Sequence, residues 1–148
     1  MTSGPAREDT LTVLYDGDCG FCKVTLAILL TWDRAARLRP VSIQSARGAE
    51  LLADMPRADR LESWHLIDGA GAVRSAGAAL PVVFAALPGG TLIAGAASRL
   101  PRVTAAAYAW VAGHREVLGR SLGARPRAWS ERVIAERHRT SRFASPRG

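Results

Sequence analysis

Hydrophobic and polar positions follow two rhythms along this chain, and the switches between them outline its elements. Residues 11–15, Leu-Thr-Val-Leu-Tyr, make a short β-prone run that stops at Asp16-Gly17, the pattern of a strand running into a turn. Over residues 23–32, Leu26, Leu29 and Leu30 recur at steps of three and four, which predicts one face of a helix. Residues 38–43 read as a second strand loosened by Pro40, and residues 48–55 as a short helix stopped by Pro56. The sharpest local signal is a hairpin: Trp64-His65-Leu66-Ile67, the turn Asp68-Gly69-Ala70-Gly71, then Ala72-Val73-Arg74-Ser75. Residues 78–87 predict a helix with Pro81 tolerated in its first turn, and residues 99–102 a linker. A longer helix follows over 103–119, with Tyr108, Val111, Val117 and Leu118 on its apolar side. Residues 128–139 add a last helical piece with a thin stripe of Trp129, Val133 and Ile134. The order is β-α-β-α-β-β-α with a helical appendix.

Composition narrows the class. At 148 residues and 48% hydrophobic, the chain suits one domain with a real core. Two cysteines can neither build a dense disulfide scaffold nor supply four thiolates to a structural zinc. The longest uncharged stretch, 77–98, is broken by Pro81 and by Pro88-Gly89-Gly90, so no membrane span is expected. The start of the chain lacks the apolar core of a secretory signal. The expectation is a soluble, cytoplasmic protein. Its net charge of +7 sits almost wholly in the last quarter, where nine arginines face three glutamates from His114 onward. That tail carries few aromatic residues and matches no nucleic-acid module, so it reads as a solvated, partly disordered extension rather than a binding arm.

Chemistry concentrates at Cys19-Gly20-Phe21-Cys22. Two cysteines separated by two residues at a strand-to-helix junction are close enough to close a small disulfide ring. The first thiol there faces the partial positive charge of a helix start, which favours thiolate. Cys19 is accordingly the expected nucleophile and Cys22 the thiol that resolves the mixed disulfide. Asp18 stands where a helix cap belongs, and either caps the helix or shuttles the proton of Cys22; its charge opposes thiolate, and Lys23 offsets part of it. A zinc set completed from His65, His114 and His138 is a weaker reading, because the three are scattered without ligand spacing. His65 itself reads as a packed strand residue.

Two other classes remain open at this point. Asp16-Gly17-Asp18 after an apolar strand fits the nucleophile pair of a Mg²⁺-dependent phosphotransferase of the haloacid-dehalogenase type. The lysine that such enzymes need well downstream is missing, since Lys23 is the sole lysine. A non-catalytic binding module is the other alternative.

The segment Tyr15-Asp16-Gly17-Asp18-Cys19-Gly20-Phe21-Cys22 resembles the signature of the DCC family of thiol-disulfide oxidoreductases. The resemblance extends to Asp33 with Leu38, to Leu66-Ile67-Asp68 with Gly71, to Ala76-Gly77-Ala78, and to Pro101, Tyr108, Ala112, His114-Arg115 and Gly119. It departs from the family pattern at Ala76, where glycine is expected, at Ala78, where an acidic residue is expected, and at His114, where asparagine is expected. The likeness implies a thioredoxin-like fold and a reductase or oxidase role. The expectation for this chain is a three-layer α/β sandwich that exchanges a dithiol and a disulfide with a protein or small-molecule partner, using no organic cofactor or metal. In thioredoxins a cis-proline precedes the strand that opens the hairpin; that place falls near Glu62-Ser63 here, which would set Ser63 against the thiols. The expected organisation is a disordered segment over 1–10, a thioredoxin-like domain over 11–123 and an Arg-rich tail over 124–148, with Asp16, Asp18 and Ser63 supporting the cysteines.

Overall fold

Strand β1 (Leu11–Tyr15) lies inside a four-stranded sheet of order β2-β1-β3-β4, with β2 spanning Leu38–Ser42, β3 His65–Ile67 and β4 Val73–Ser75. It runs parallel to β2, with Leu11 opposite Leu38, and antiparallel to β3, with Val13 opposite Leu66. Strand β4 returns antiparallel beside β3, closing the hairpin expected at Asp68-Gly69-Ala70-Gly71. This computed structural model describes residues 9–143, so the disorder expected over 1–10 and the last five residues of the tail fall almost wholly outside the described residues.

The period of two along β1 explains the layers. Leu11, Val13 and Tyr15 pack on one face against Leu26, Leu29 and Leu30 of helix α1 (Gly20–Trp32), with Val83 and Leu87 beyond. Leu14 points the other way, to Ile43 and Leu52 at the end of α2 (Ala46–Leu51). Helices on both faces of a mixed sheet give the three-layer arrangement. Pro40, which loosens β2 in sequence, is accommodated because β2 is an edge strand. A single helical turn, α3 (Arg57–Arg60), leads from α2 toward β3.

After β4 the chain makes a 3-10 turn over Ala76–Ala79 and then α4 (Leu80–Ala86), with Pro81 in its first turn as expected. Ala76 enters this turn at a φ of 54°, the left-handed region that glycine occupies without cost. The glycine expected there has a physical reason, and this chain bears the strain instead. Gly77 lies so close to the next long helix that a Cβ would come within 3.2 Å of Ala105 Cα.

Three expectations are corrected. Helix α1 begins at Gly20, and its cap is Cys19, not Asp18. The stretch after Gly90 is a helix, α5 (Thr91–Arg99), and residues 99–102 are no linker, because Pro101 opens α6 (Pro101–Ser121) directly after it. The tail is not a solvated extension over its first twenty residues. It forms α7 (Ala124–Phe143), which packs along α1 and buries Ile134 and Ser130. Arg137 fastens α7 in place: its guanidinium donates to Asp33 Oδ2 at 2.5 Å, to Leu30 O at 2.7 Å and to Leu38 O at 3.2 Å. Asp33 is fully buried and also accepts the backbone N–H groups of Arg37 and Leu38, so the carboxylate locks the loop from α1 to β2.

Candidate active site

The turn Asp16-Gly17-Asp18 carries the chain from β1 into α1 and leaves Cys19 as the N-cap, at φ −89° and ψ 110°. Its Sγ takes the place that an Asp or Ser oxygen usually fills and accepts the Cys22 backbone N–H at 3.3 Å. The Cys22 thiol hydrogen-bonds to the same sulfur, and both cysteines are reduced and half-buried. Donation from the Cys22 thiol is the main reason that the Cys19 pKa falls to about 6; the Cys22 backbone N–H and the charge of Arg115 also lower it, against partial burial and the carboxylate of Asp16. The Cys22 thiol is pushed strongly up, because it gives its proton to the Cys19 sulfur, is more buried and sits beside a negative charge. One thiol is thus poised as thiolate and its neighbour holds a proton.

The other residues expected at the site separate. Asp16 is half-buried and electrostatically coupled to both thiols; its Oδ1 accepts the Asp18 N–H at 2.9 Å and the Gln44 Nε2 at 2.6 Å. Asp18 is exposed at the mouth, its carboxylate met by Gln44 Nε2 at 3.4 Å. Gln44 also takes the Gly17 N–H at 2.9 Å, and a Cβ at Gly17 would stand 2.7 Å from Ser42 Oγ, so that hydroxyl would have to turn away. Lys23 does not serve the thiols: its Nζ pairs with Glu131 on α7 at 2.9 Å. Ser63 lies in the loop before β3, where its hydroxyl bonds that of Tyr108; the Trp64 N–H donates to the same Tyr108 oxygen at 3.2 Å. Ser63 therefore reaches the cysteine region by way of Tyr108, which lines a cavity with Cys22.

Two cavities flank the pair. An apolar one of about 270 Å³ opens beside Cys22 and is walled by Phe21, Trp64, Leu80, Tyr108 and Val111. A charged one of about 310 Å³ opens beside Cys19, among Asp16, Asp18, Glu116, Arg120 and Arg127. Arg115 borders both. Sequence reading missed Arg115 and Trp64 as parts of the site. Tyr108, Val111, Ala112 and Arg115 share one helical face, so the spacing was present, but only the fold shows that this face looks onto the cysteines.

The three histidines do not gather on the thiols. His65 is buried between Ser75 Oγ at 2.6 Å and Arg60 O at 3.0 Å, and His114 stacks on Trp110 with ring centroids 4.4 Å apart. Among the described residues no group of three His, Cys, Asp or Glu side chains forms a metal set. The sole lysine, Lys23, pairs with Glu131, so the phosphotransferase reading lacks the lysine that would hold its nucleophile and phosphate.

A paired-thiol motif capping the first helix of a β2-β1-β3-β4 mixed sheet defines the thioredoxin-like class of dithiol proteins. Within that class the chain belongs to the DCC1-like thiol-disulfide oxidoreductase family, whose model matches residues 13–121. No curated protein and no solved structure matches the chain. Among the described residues no helix is long and apolar enough to cross a membrane.

Proposed function

We propose that this protein is an enzyme of dithiol–disulfide exchange in which Cys19 attacks and Cys22 resolves. The observation that carries the reading is the double donation from Cys22, by thiol and by backbone N–H, onto the Cys19 sulfur at the start of α1. The Cys19 thiolate attacks a sulfur of the partner's disulfide and releases one thiolate, which takes up the proton of Cys22. Cys22 then attacks Cys19 Sγ in the mixed disulfide, closes the protein disulfide and releases the second thiolate. The partner gains two electrons and the protein loses two; the reverse sequence oxidises a partner dithiol.

Asp16 tunes the pair by disfavouring negative charge on both sulfurs, and Asp18 adds charge at the mouth. Ser63 positions the wall of the site through Tyr108. The domain that does this work extends over 11–123, and α7 packs along α1 and adds Arg127 to the cavity beside Cys19. A reducing compartment such as the cytosol suits a thiol pair of this kind. Mass spectrometry after mild oxidation tests the reading. The wild-type chain should lose two hydrogens, Cys22→Ser should abolish that loss, and an unchanged wild-type mass overturns the proposal.

A further inference from the structure

We propose that the two cavities form one substrate site, and that its substrate is a small disulfide with an aromatic or branched aliphatic arm carrying a carboxylate. The arm fills the cavity beside Cys22 and the carboxylate pairs with Arg115. This inference rests on the dithiol reading and adds the substrate class to it.

Size argues for a small arm. A dry apolar cavity of about 150 Å³ holds a benzene ring, so the open cavity of about 270 Å³ bordered by Phe21, Trp64, Leu80, Tyr108 and Val111 suits one substituted ring. Cys22 is part of that wall, which brings the seated arm close to where a mixed disulfide on Cys19 must lie. Polarity argues for a single negative charge. Arg115 is half-buried, borders both cavities, and has no hydrogen bond or ion pair with any described residue. Its charge acts on the thiols through space, but its N–H donors are unused, and a guanidinium in that state beside an apolar cavity is a ready fork for a carboxylate. Around it Arg120 and Arg127 face Asp16, Asp18 and Glu116, so an arm with one negative charge fits this mouth better than an arm with two. A further polar group awaits a partner: Trp64 Nε1 is buried and makes no hydrogen bond, although its indole lines the cavity.

The surroundings favour a small molecule over a protein. A standard protein interface covers about 800 Å² per partner around an apolar centre. The exposed apolar side chains of α6, Val103, Trp110 and Val117, lie on a different face from Tyr108 and Arg115, so they do not widen the Cys22 cavity into such a centre.

The test uses the reduced full chain and three disulfides: 5,5′-dithiobis(2-nitrobenzoate), aromatic with one carboxylate on each arm; 4,4′-dithiodipyridine, aromatic and uncharged; and 2-hydroxyethyl disulfide, small and uncharged. Rates are divided by those of N-acetylcysteine thiolate with the same reagent. Arg115→Gln should lower the normalised rate with the nitrobenzoate about tenfold more than that with the dipyridine, as expected for loss of a charge-assisted pair. Ala112→Leu, which narrows the apolar cavity, should lower both aromatic rates relative to the hydroxyethyl one. Equal effects on all three reagents overturn the inference, as does a normalised rate with insulin disulfides above all three. Binding is read separately in the double variant Cys19→Ser, Cys22→Ser. There 1-naphthoate should shift the Trp64 indole N–H resonance, and Arg115→Gln should weaken that binding about tenfold; no shift with the folded double variant overturns the inference. Absence of exchange with every disulfide defeats the dithiol reading instead, and the naphthoate titration still decides the site.

Discussion

Asp16 and Arg115 pull on the same sulfur from opposite directions, and the Cys19 pKa of about 6 records the balance after the hydrogen bonds from Cys22 have acted. Asp16→Asn should move that value lower and Arg115→Gln should move it higher. Iodoacetamide labelling of Cys19 across pH, read by peptide mass, gives the midpoint, and a midpoint unmoved by Asp16→Asn contradicts the electrostatic account. A second prediction concerns the backbone. Ala76 sits at a φ of 54°, so Ala76→Gly should stabilise the chain by about 1 kcal/mol in urea unfolding. The cysteine pair was legible because its chemistry is local: four consecutive residues at a helix start carry it. The cap was misread because Asp18 is the better capping residue by type, yet the turn aims its carboxylate at Gln44 and puts a sulfur in the capping place. Arg115 and Trp64 were not legible, since their importance comes from the packing of α6 and the loop before β3 around α1.

At the scale of elements, α7 is held by one buried ion pair and one exposed one. Breaking the buried pair with Arg137→Ala leaves the Asp33 carboxylate without its cation and should cost about 3–5 kcal/mol in urea unfolding. Lys23→Ala, which breaks the pair with the largely exposed Glu131, should cost under about 1 kcal/mol. Similar losses for both would show that α7 is held by its apolar stripe rather than by Arg137. The strands, the hairpin and α1 were readable from periodicity and turn residues. Helix α5 was not, because Ala94, Gly95, Ala96 and Ala97 form no stripe of large residues, and only Ala94 among its side chains is buried. Residues 99–102 read as a linker, whereas Pro101 begins α6, where a missing N–H costs nothing. The tail read as solvated because its charge outweighs its apolar content; Arg137 shows that part of that charge is spent inside the fold.

For the molecule as a whole, the reduced and oxidised forms should differ in how stability responds to pH. Folding lowers the Cys19 pKa from 9.0 to about 6, so its thiolate adds stability that is complete above pH 9 and disappears as pH falls through 6. The oxidised chain has no such group. The reduced-minus-oxidised difference in unfolding free energy should therefore rise between pH 6 and 9. His65, lowered by burial, weakens both forms as pH drops below its ordinary 6.5 and cancels in the difference. Urea titrations of each form at several pH values measure it, and a flat difference would mean that Cys19 ionises alike in the folded and unfolded chains. The general architecture, a sheet between helix layers with the thiols at one end, was legible from the order of elements; the closing role of α7 was not. Arg127 on that helix reaches the Gly119 carbonyl at 2.5 Å and lies against Gly20, the first residue of α1. The family likeness ends at 121, so one wall of the nucleophile's doorway is built from sequence that relatives need not share. Grafting the last helix from one member onto another should carry over the tempo of its sulfur chemistry along with the bulk.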